Sequence, residues 1–361
     1  MATTINLVQK FHDRLVKSLD YYSNLEGKTT DEYKMEGSEG IYLTSLVPVP
    51  LNNYNMAATA NRYGTPTEMG DEQQFIGWDY DKSFSVTVDN ANYRDGGFMK
   101  TVDAVTREQQ ESEVAPFIEG NFYSKLCKYA GKVITGTAPT ASDILGRLTA
   151  IEAAFRNARI PKKDRYVVMG TSKVQLIRNS LTNLDNITDK MLLKGVVGAI
   201  GSLKVLEAAD DDLPTGVNFL AWYKGSAVKA FDIKEGKAHD NPPGINGALI
   251  EYRVRGVNAV VGKYSGGVIV DVLSSAKSIA PTISSAGVIG KGSAGYPQAY
   301  IYTLDGTDPR YSKTAVRVST NGSNYTPAFT GTVTLKAVQE ETASMGKVTL
   351  SDVVTATVTA A

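Results

Sequence analysis

The chain holds few side chains suited to acid–base, nucleophilic or metal chemistry. It has two histidines, His12 and His239, and one cysteine, Cys127. A serine or cysteine nucleophile needs a positioned base with an orienting partner. His12 lies among charges near the N-terminus, and His239 precedes Asp240 and a Pro-Pro-Gly turn, so both read as solvated residues. Cys127 reads as a small apolar residue on a helix. A structural zinc site needs four Cys or His ligands, which two distant histidines and one cysteine do not supply. Asp210, Asp211 and Asp212 are contiguous, whereas a calcium loop of the EF-hand kind takes alternate positions; they read as a solvated acidic turn. Asp305 and Asp308 flank the turn Asp305-Gly-Thr-Asp-Pro309, where these residue types serve the backbone. Gly195 to Gly201 lacks the Lys-Ser/Thr ending of a phosphate loop, and Gly287 to Gly295 reads as turns. No catalytic, cofactor or metal site is expected, which points to a structural or binding role.

Composition agrees with that direction. The 361 residues are 42% hydrophobic and 21% charged, enough for two or three domains. Thirty-eight basic residues balance thirty-eight acidic ones, so the basic excess of a dedicated nucleic-acid binder is missing. Neutrality also removes the repulsion that keeps copies of a chain apart. Met1 to Lys10 shows no signal-peptide pattern, and no apolar run approaches the ~20 residues of a membrane span. A soluble protein made in a reducing cytosol is expected.

The elements that would position any functional surface are these. Ile5, Val8, Phe11, Leu15 and Leu19 recur at helical spacing, predicting an N-terminal amphipathic helix. Ile41 to Val47 and Phe84 to Val88 read as strands. The polar middle between them, with little period from Leu51 to Gly77, suggests a projecting hairpin whose arms reach on the order of 40–70 Å. An isolated ribbon is marginal in water, so it would need a partner surface. Val102 to Ala130 reads as a long helix carrying Val114, Phe117, Ile118, Phe122, Leu126 and Tyr129 on one face, kinked or broken at Pro116 and Gly120. Thr140 and Asp143 open a second helix with the stripe Ile144, Leu148, Ile151, Phe155 and Ala158. Arg165 to Met169 is a strand and Gly170 to Ser180 a helix. Strands follow at Leu203 to Leu206, Val217 to Trp222, Val228 to Ile233, Ala248 to Val254, Val257 to Val261 and Gly267 to Leu273. The irregular mixture is α+β. Ser274 to Ala280 reads as a linker. Beyond it, short alternating runs at Tyr300 to Leu304, Ala315 to Ser319, Thr332 to Val338 and Val353 to Val358 predict a small all-β sandwich.

Three stretches resemble the major capsid proteins of tailed bacteriophages, the Hong-Kong-97-type fold also found in herpesvirus capsid floors. Ile41-Tyr-Leu-Thr-Ser-Leu-Val-Pro-Val-Pro-Leu-Asn-Asn-Tyr54, Asn61 to Gly70 and Tyr80 to Asp89 are similar to the extended loop of that family, which lies across the adjacent subunit. Val114-Ala-Pro-Phe-Ile-Glu-Gly-Asn-Phe-Tyr-Ser-Lys-Leu126 resembles the spine helix of the peripheral domain. Ala238 to Arg253 is similar to the segment whose strands return to that domain. Separately, Ala299-Tyr-Ile-Tyr-Thr-Leu-Asp-Gly-Thr-Asp-Pro309 and Tyr325 to Val338 resemble the immunoglobulin-like module at the C-terminus of chitobiases, with extra residues between Tyr311 and Tyr325.

The resemblance implies an N-terminal arm (1–37), an extended loop (38–95), a capsid body with peripheral and axial domains (96–273), a linker (274–280) and an outer immunoglobulin-like domain (281–361). It implies a non-enzymatic shell subunit of a virion, assembled in the bacterial cytoplasm into hexamers and pentamers of an icosahedral head. The implied partners are other copies of the chain, scaffolding, portal and decoration proteins, packaged double-stranded DNA met without specificity at the inner face, and cell-surface glycans at the outer module. No cofactor and no membrane are implied. The module is expected to be a decoration whose removal leaves shells intact. The alternative is a bacterial surface or carbohydrate-binding protein, or a glycoside hydrolase; the first would need a secretion signal and further modules, the last a carboxylate pair that residues 1–280 do not display.

Overall fold

The computed structural model describes residues 25–36, 39–90, 102–180, 196–341 and 343–360. The expected N-terminal helix, with His12, lies outside the described residues. The strands are β1 (Lys34–Glu36), β2 (Gly40–Leu46), β3 (Asp71–Gly77), β4 (Tyr80–Asp89), β5 (Lys132–Gly136), β6 (Arg165–Gly170), β7 (Val196–Ile200), β8 (Leu203–Ala208), β9 (Val217–Tyr223), β10 (Ala227–Asp240), β11 (Gly247–Val260) and β12 (Val268–Leu273). The helices are α1 (Val102–Gln109), α2 (Ala115–Lys128), α3 (Ile144–Asn157) and α4 (Thr171–Ser180). The C-terminal region adds β13 (Thr282–Ile283), β14 (Ile289–Gly290), β15 (Pro297–Thr303), β16 (Val316–Ser319), β17 (Thr332–Glu341) and β18 (Val354–Thr359). The architecture is mixed α+β.

Strands with apolar residues on both faces must be covered on both faces. β6 and β9 are of this kind, and they are central in a six-stranded mixed sheet ordered β5-β12-β9-β6-β8-β7. Alternation divides their side chains. Tyr166, Val168, Leu220 and Trp222 meet Phe122, Tyr123 and Leu126 of α2 on one face. Val167, Met169, Phe219 and Ala221 meet Ile144, Leu148, Ile151 and Phe155 of α3 and Val174 and Ile177 of α4 on the other. The stripe on α3 is therefore core, apart from Ala158 at its exposed end. At its start the Asp143 carboxylate accepts from the Thr140 N–H (2.6 Å) and hydroxyl (2.9 Å), so Thr140 and Asp143 do open this helix.

The long helical stretch is interrupted once. A π turn, Gln110–Val114, joins α1 to α2 immediately before Pro116. Proline has no N–H to donate and its ring crowds the carbonyl four residues back, and a widened turn relieves both. Gly120 is helical with no break, contrary to expectation, and faces the backbone at Asp212.

A second sheet, β10-β11-β4, packs Tyr80, Tyr252 and Val254 against Val114, Ala115 and Ile118. Two expectations fail here. Phe84 to Val88 lies in β4, whose ladder is with β11 rather than with the 41–47 strand; that strand pairs instead with β3. Residues 248–254 and 257–261, read as two strands, belong to one strand that ends at Val260.

The C-terminal region is a four-stranded antiparallel sheet, β16-β15-β17-β18. Its second layer is the short β13–β14 ribbon, packed on Tyr300, Tyr302, Leu335 and Val358 through Ile289, rather than a full second sheet. The other face, with Ile301, Val338 and Leu350, lies against Tyr129 just beyond α2. The connecting residues 274–280 are not loose: the Val348 N–H bonds Ala276 O (2.8 Å) and the Ser278 N–H bonds Thr349 O (3.3 Å).

Candidate assembly surface

The β2–β3 hairpin starts inside the molecule and ends outside it. At its base Ile41 and Leu43 are buried against Val228, Ala230, Val257 and Ala259 of the second sheet. The ladder runs from Gly40↔Gly77 out to Leu46↔Asp71, and the Val47 N–H continues it to Gly70 O (2.8 Å). Beyond that point the loop holds its own shape. The Asn55 N–H bonds Arg62 O (2.9 Å), the Arg62 guanidinium donates to Ala58 O (2.9 Å), and the rings of Tyr54 and Tyr63 meet edge-on at 5.0 Å. Asn61 supplies the left-handed turn (φ 53°), a conformation asparagine tolerates.

This preformed tip carries the wrong residues for water. Of fourteen exposed large hydrophobic side chains among the described residues, nine fall between Leu46 and Phe75. Leu51 is 100% exposed, Tyr63 83% and Met56 80%. Scattered apolar residues on a surface are ordinary, but a concentration on one projection marks an interaction site. Covering one such side chain contributes about 1.5–3 kcal/mol. Only Arg62 and Glu68 are charged between residues 47 and 70. Two clefts, of about 270 and 360 Å³, flank the base of the hairpin. Both are lined in part by Gln74 and by Tyr311 and Ser312 of the C-terminal region.

The described residues singled out for chemistry are dispersed over the fold. His239 is on the β10–β11 hairpin with its Nε2 3.3 Å from a Glu251 oxygen, well exposed. Cys127 is fully buried against the main sheet, and burial pushes its thiol far up. In the acidic turn the Asp210 carboxylate accepts from the Ser172 hydroxyl (2.9 Å) and N–H (3.4 Å), binding the first turn of α4. Asp305 accepts from the Thr307 N–H (3.0 Å), the Thr307 hydroxyl (2.6 Å) and the Thr314 hydroxyl (2.7 Å). Burial raises its pKa, but these hydrogen bonds outweigh that and leave the carboxyl below its ordinary value. Asp308 is engaged by Arg310 at 2.7 Å. Among the described residues no three His, Cys, Asp or Glu side chains group as metal ligands. No described helix is long and apolar enough to cross a membrane. The sequence reading missed Leu51, Met56 and Tyr63; their signal was apolar side chains within an otherwise polar, Asn-rich loop.

No protein-family model matches the chain, and no curated protein matches it in sequence. Solved structures do. One from Mycobacterium phage Che8 is similar with a TM-score of 0.50 and 19% identity, over 64% of this chain and 84% of that one. The capsid structure of the cyanophage P-SCSP1u is similar with a TM-score of 0.50 and 13% identity, over 67% of this chain and 85% of that one. At these identities the likeness is one of fold: about two thirds of the chain resembles a fold found in phage capsids.

Proposed function

We propose that this chain is a non-enzymatic shell subunit of a tailed-phage head. The observation that carries the reading is a preformed, apolar hairpin tip projecting from a fold of phage-capsid type. A ribbon like this is unfinished in an isolated subunit and complete when it lies on a second copy. Repeated head-to-tail, such a heterologous contact closes into hexamer and pentamer rings. In this reading the β2–β3 hairpin is the intersubunit tether of the Hong-Kong-97-type fold and α2 its spine helix. Residues 96–273 form the peripheral and axial domains. Residues 281–361 form an immunoglobulin-like module at the outer face. Other copies of the chain are the principal partner; DNA is enclosed without sequence recognition, and the subunit resides in the virion.

The test is to express the full chain alone and examine it by light scattering and negative-stain microscopy, beside a deletion of residues 52–70. Hollow particles, rings or tubes from the parent, and soluble subunits from the deletion, are expected. Normal shells from the deletion would remove the hairpin from the assembly mechanism.

A further inference from the structure

The end of α2 is closed by the C-terminal module rather than by its own chain. A helix leaves its last carbonyls without intrahelical donors. Here three successive carbonyls each receive one from the module: Lys128 O from the Leu350 N–H (3.3 Å), Tyr129 O from the Tyr311 hydroxyl (2.7 Å), and Ala130 O from the Arg310 guanidinium (3.1 Å). Arg310 is itself held by Asp308 at 2.7 Å, so what it brings to the helix end is an aimed donor rather than a net charge. Lys128 and Glu340 add an ion pair at 2.7 Å. Tyr311 is nearly buried and belongs to the same apolar cluster as Trp222 and Phe122. This is not how an ornament on a flexible stalk is attached.

The same turn reaches the root of the hairpin. Gln74 of β3 donates to Val260 O (3.1 Å) and accepts from the Gly262 N–H (2.8 Å). A Cβ on Gly262 would lie 2.7 Å from the Tyr311 Cβ and 3.3 Å from the Gln74 side-chain oxygen, so hairpin, body and module meet at one glycine. The Asp308 to Ser312 turn thus bonds the end of α2 directly on one side and reaches the hairpin root through Gly262 on the other. A lever fixed only at its base transmits small losses at the base into large displacements at the tip.

We infer that the C-terminal module is a brace: through Arg310 and Tyr311 it locks the end of α2 and sets the posture of the hairpin. The brace itself is independent of assembly; its consequence for assembly rests on the shell reading above. The module is then not dispensable, and deleting residues 282–361 leaves three open carbonyls, a stripped apolar face and a loosened hairpin.

The test uses the full-length subunit, dilute and unassembled, with spin labels at Thr59→Cys in the loop and Lys162→Cys on the body. Cys127, buried, stays unlabelled. A narrow distance distribution is expected in the parent. In the combined Arg310→Ala, Tyr311→Phe variant the distribution is expected to widen at least about twofold, with amide exchange in residues 125–130 about tenfold faster, the order of one or two lost hydrogen bonds. Arg310→Lys should restore most of the narrowing. Should that variant unfold, Tyr311→Phe alone keeps the ring in place and removes one cap. An unchanged distribution with faster exchange at 125–130 would make the contact a helix cap and nothing more, overturning the brace. Widening in the variant of a parent that never assembles would keep the brace and overturn the shell reading.

Discussion

The six-stranded sheet and the β2–β3 hairpin treat apolar side chains in opposite ways. In the sheet, Trp222, Phe219, Val168 and Val167 are covered on both faces by helices of the same chain. In the hairpin, coverage stops at Ile41 and Leu43, and the apolar residues beyond face water. One region is finished by intrachain packing; the other is shaped but unfinished. Mutations should therefore separate into those that unfold the subunit and those that only prevent it from meeting another.

The largest effect belongs to the finished region. Trp222 meets Phe122 edge-on (5.6 Å) and Tyr166 at a tilt (5.8 Å), and its indole N–H donates to Lys28 O (3.0 Å). Trp222→Ala should cost about 4 kcal/mol in urea unfolding, from lost transfer energy, a cavity and an orphaned carbonyl. A cost below about 1 kcal/mol would mean that the core collapses around the vacancy and is not close-packed.

The finished region was also the legible one. Tyr166 to Met169 and Phe219 to Trp222 are continuous apolar runs, and the α3 stripe has a clean helical period, so local pattern and tertiary burial agree. β3 escaped because its sequence, from Asp71 to Gly77, is mostly polar and largely exposed, and what makes it a strand is its ladder with β2. β11 was divided between Val254 and Val257; within that gap Gly256 permits close approach, since a Cβ would meet Ala230 O and the Tyr80 hydroxyl at 2.6 Å. The scarcity of candidate bases and nucleophiles is plain from two histidines and one cysteine. A hairpin in need of a partner surface was legible too; its apolar tip was not, because whether Leu51 or Met56 is exposed depends on what packs beside it.

The seam to the C-terminal module should titrate. Burial raises the Glu340 pKa, but the hydrogen bond and charge of Lys128, with Arg317 at 3.1 Å, outweigh it and hold the carboxyl below its ordinary value. A depressed carboxyl stabilises above its unfolded pKa and loses that contribution as pH falls through the folded one. The advantage of the parent over Glu340→Gln should be constant near neutrality and shrink in acid, below about pH 4.5. An advantage that does not vary with pH would leave the ion pair without weight.

Asp271 should move the other way. It is buried in β12, where desolvation raises its pKa despite the Asn218 amide at 2.7 Å and Arg147 at 3.5 Å, with Asp143 nearby also raising it. A raised carboxyl stabilises most below its unfolded pKa and loses that as pH rises through the folded value. Asp271→Asn should therefore gain on the parent as pH climbs from about 3 to 7, a smaller change than the Trp222 truncation. A gain at low pH that vanishes at neutrality would show Arg147 prevailing over burial.

The smallest effect on stability is the sharpest test of the comparison. Leu51 and Met56 make no buried contact in the subunit, so replacing both with aspartate removes nothing that folding uses. Unfolding free energy should change by less than about 0.5 kcal/mol. On a partner surface the same carboxylates would have to be desolvated without a counter-charge, which costs several kcal/mol each. A subunit that melts normally and fails to assemble, by light scattering on the same preparation, is the expected result. If Leu51→Asp, Met56→Asp instead lowers stability by more than about 2 kcal/mol, the loop is packed within its own chain and the division between finished and unfinished regions is wrong. If stability and assembly both survive, the apolar tip is exposed in the particle as well, and the tether must be sought in the ladder of β2 and β3 rather than in the loop.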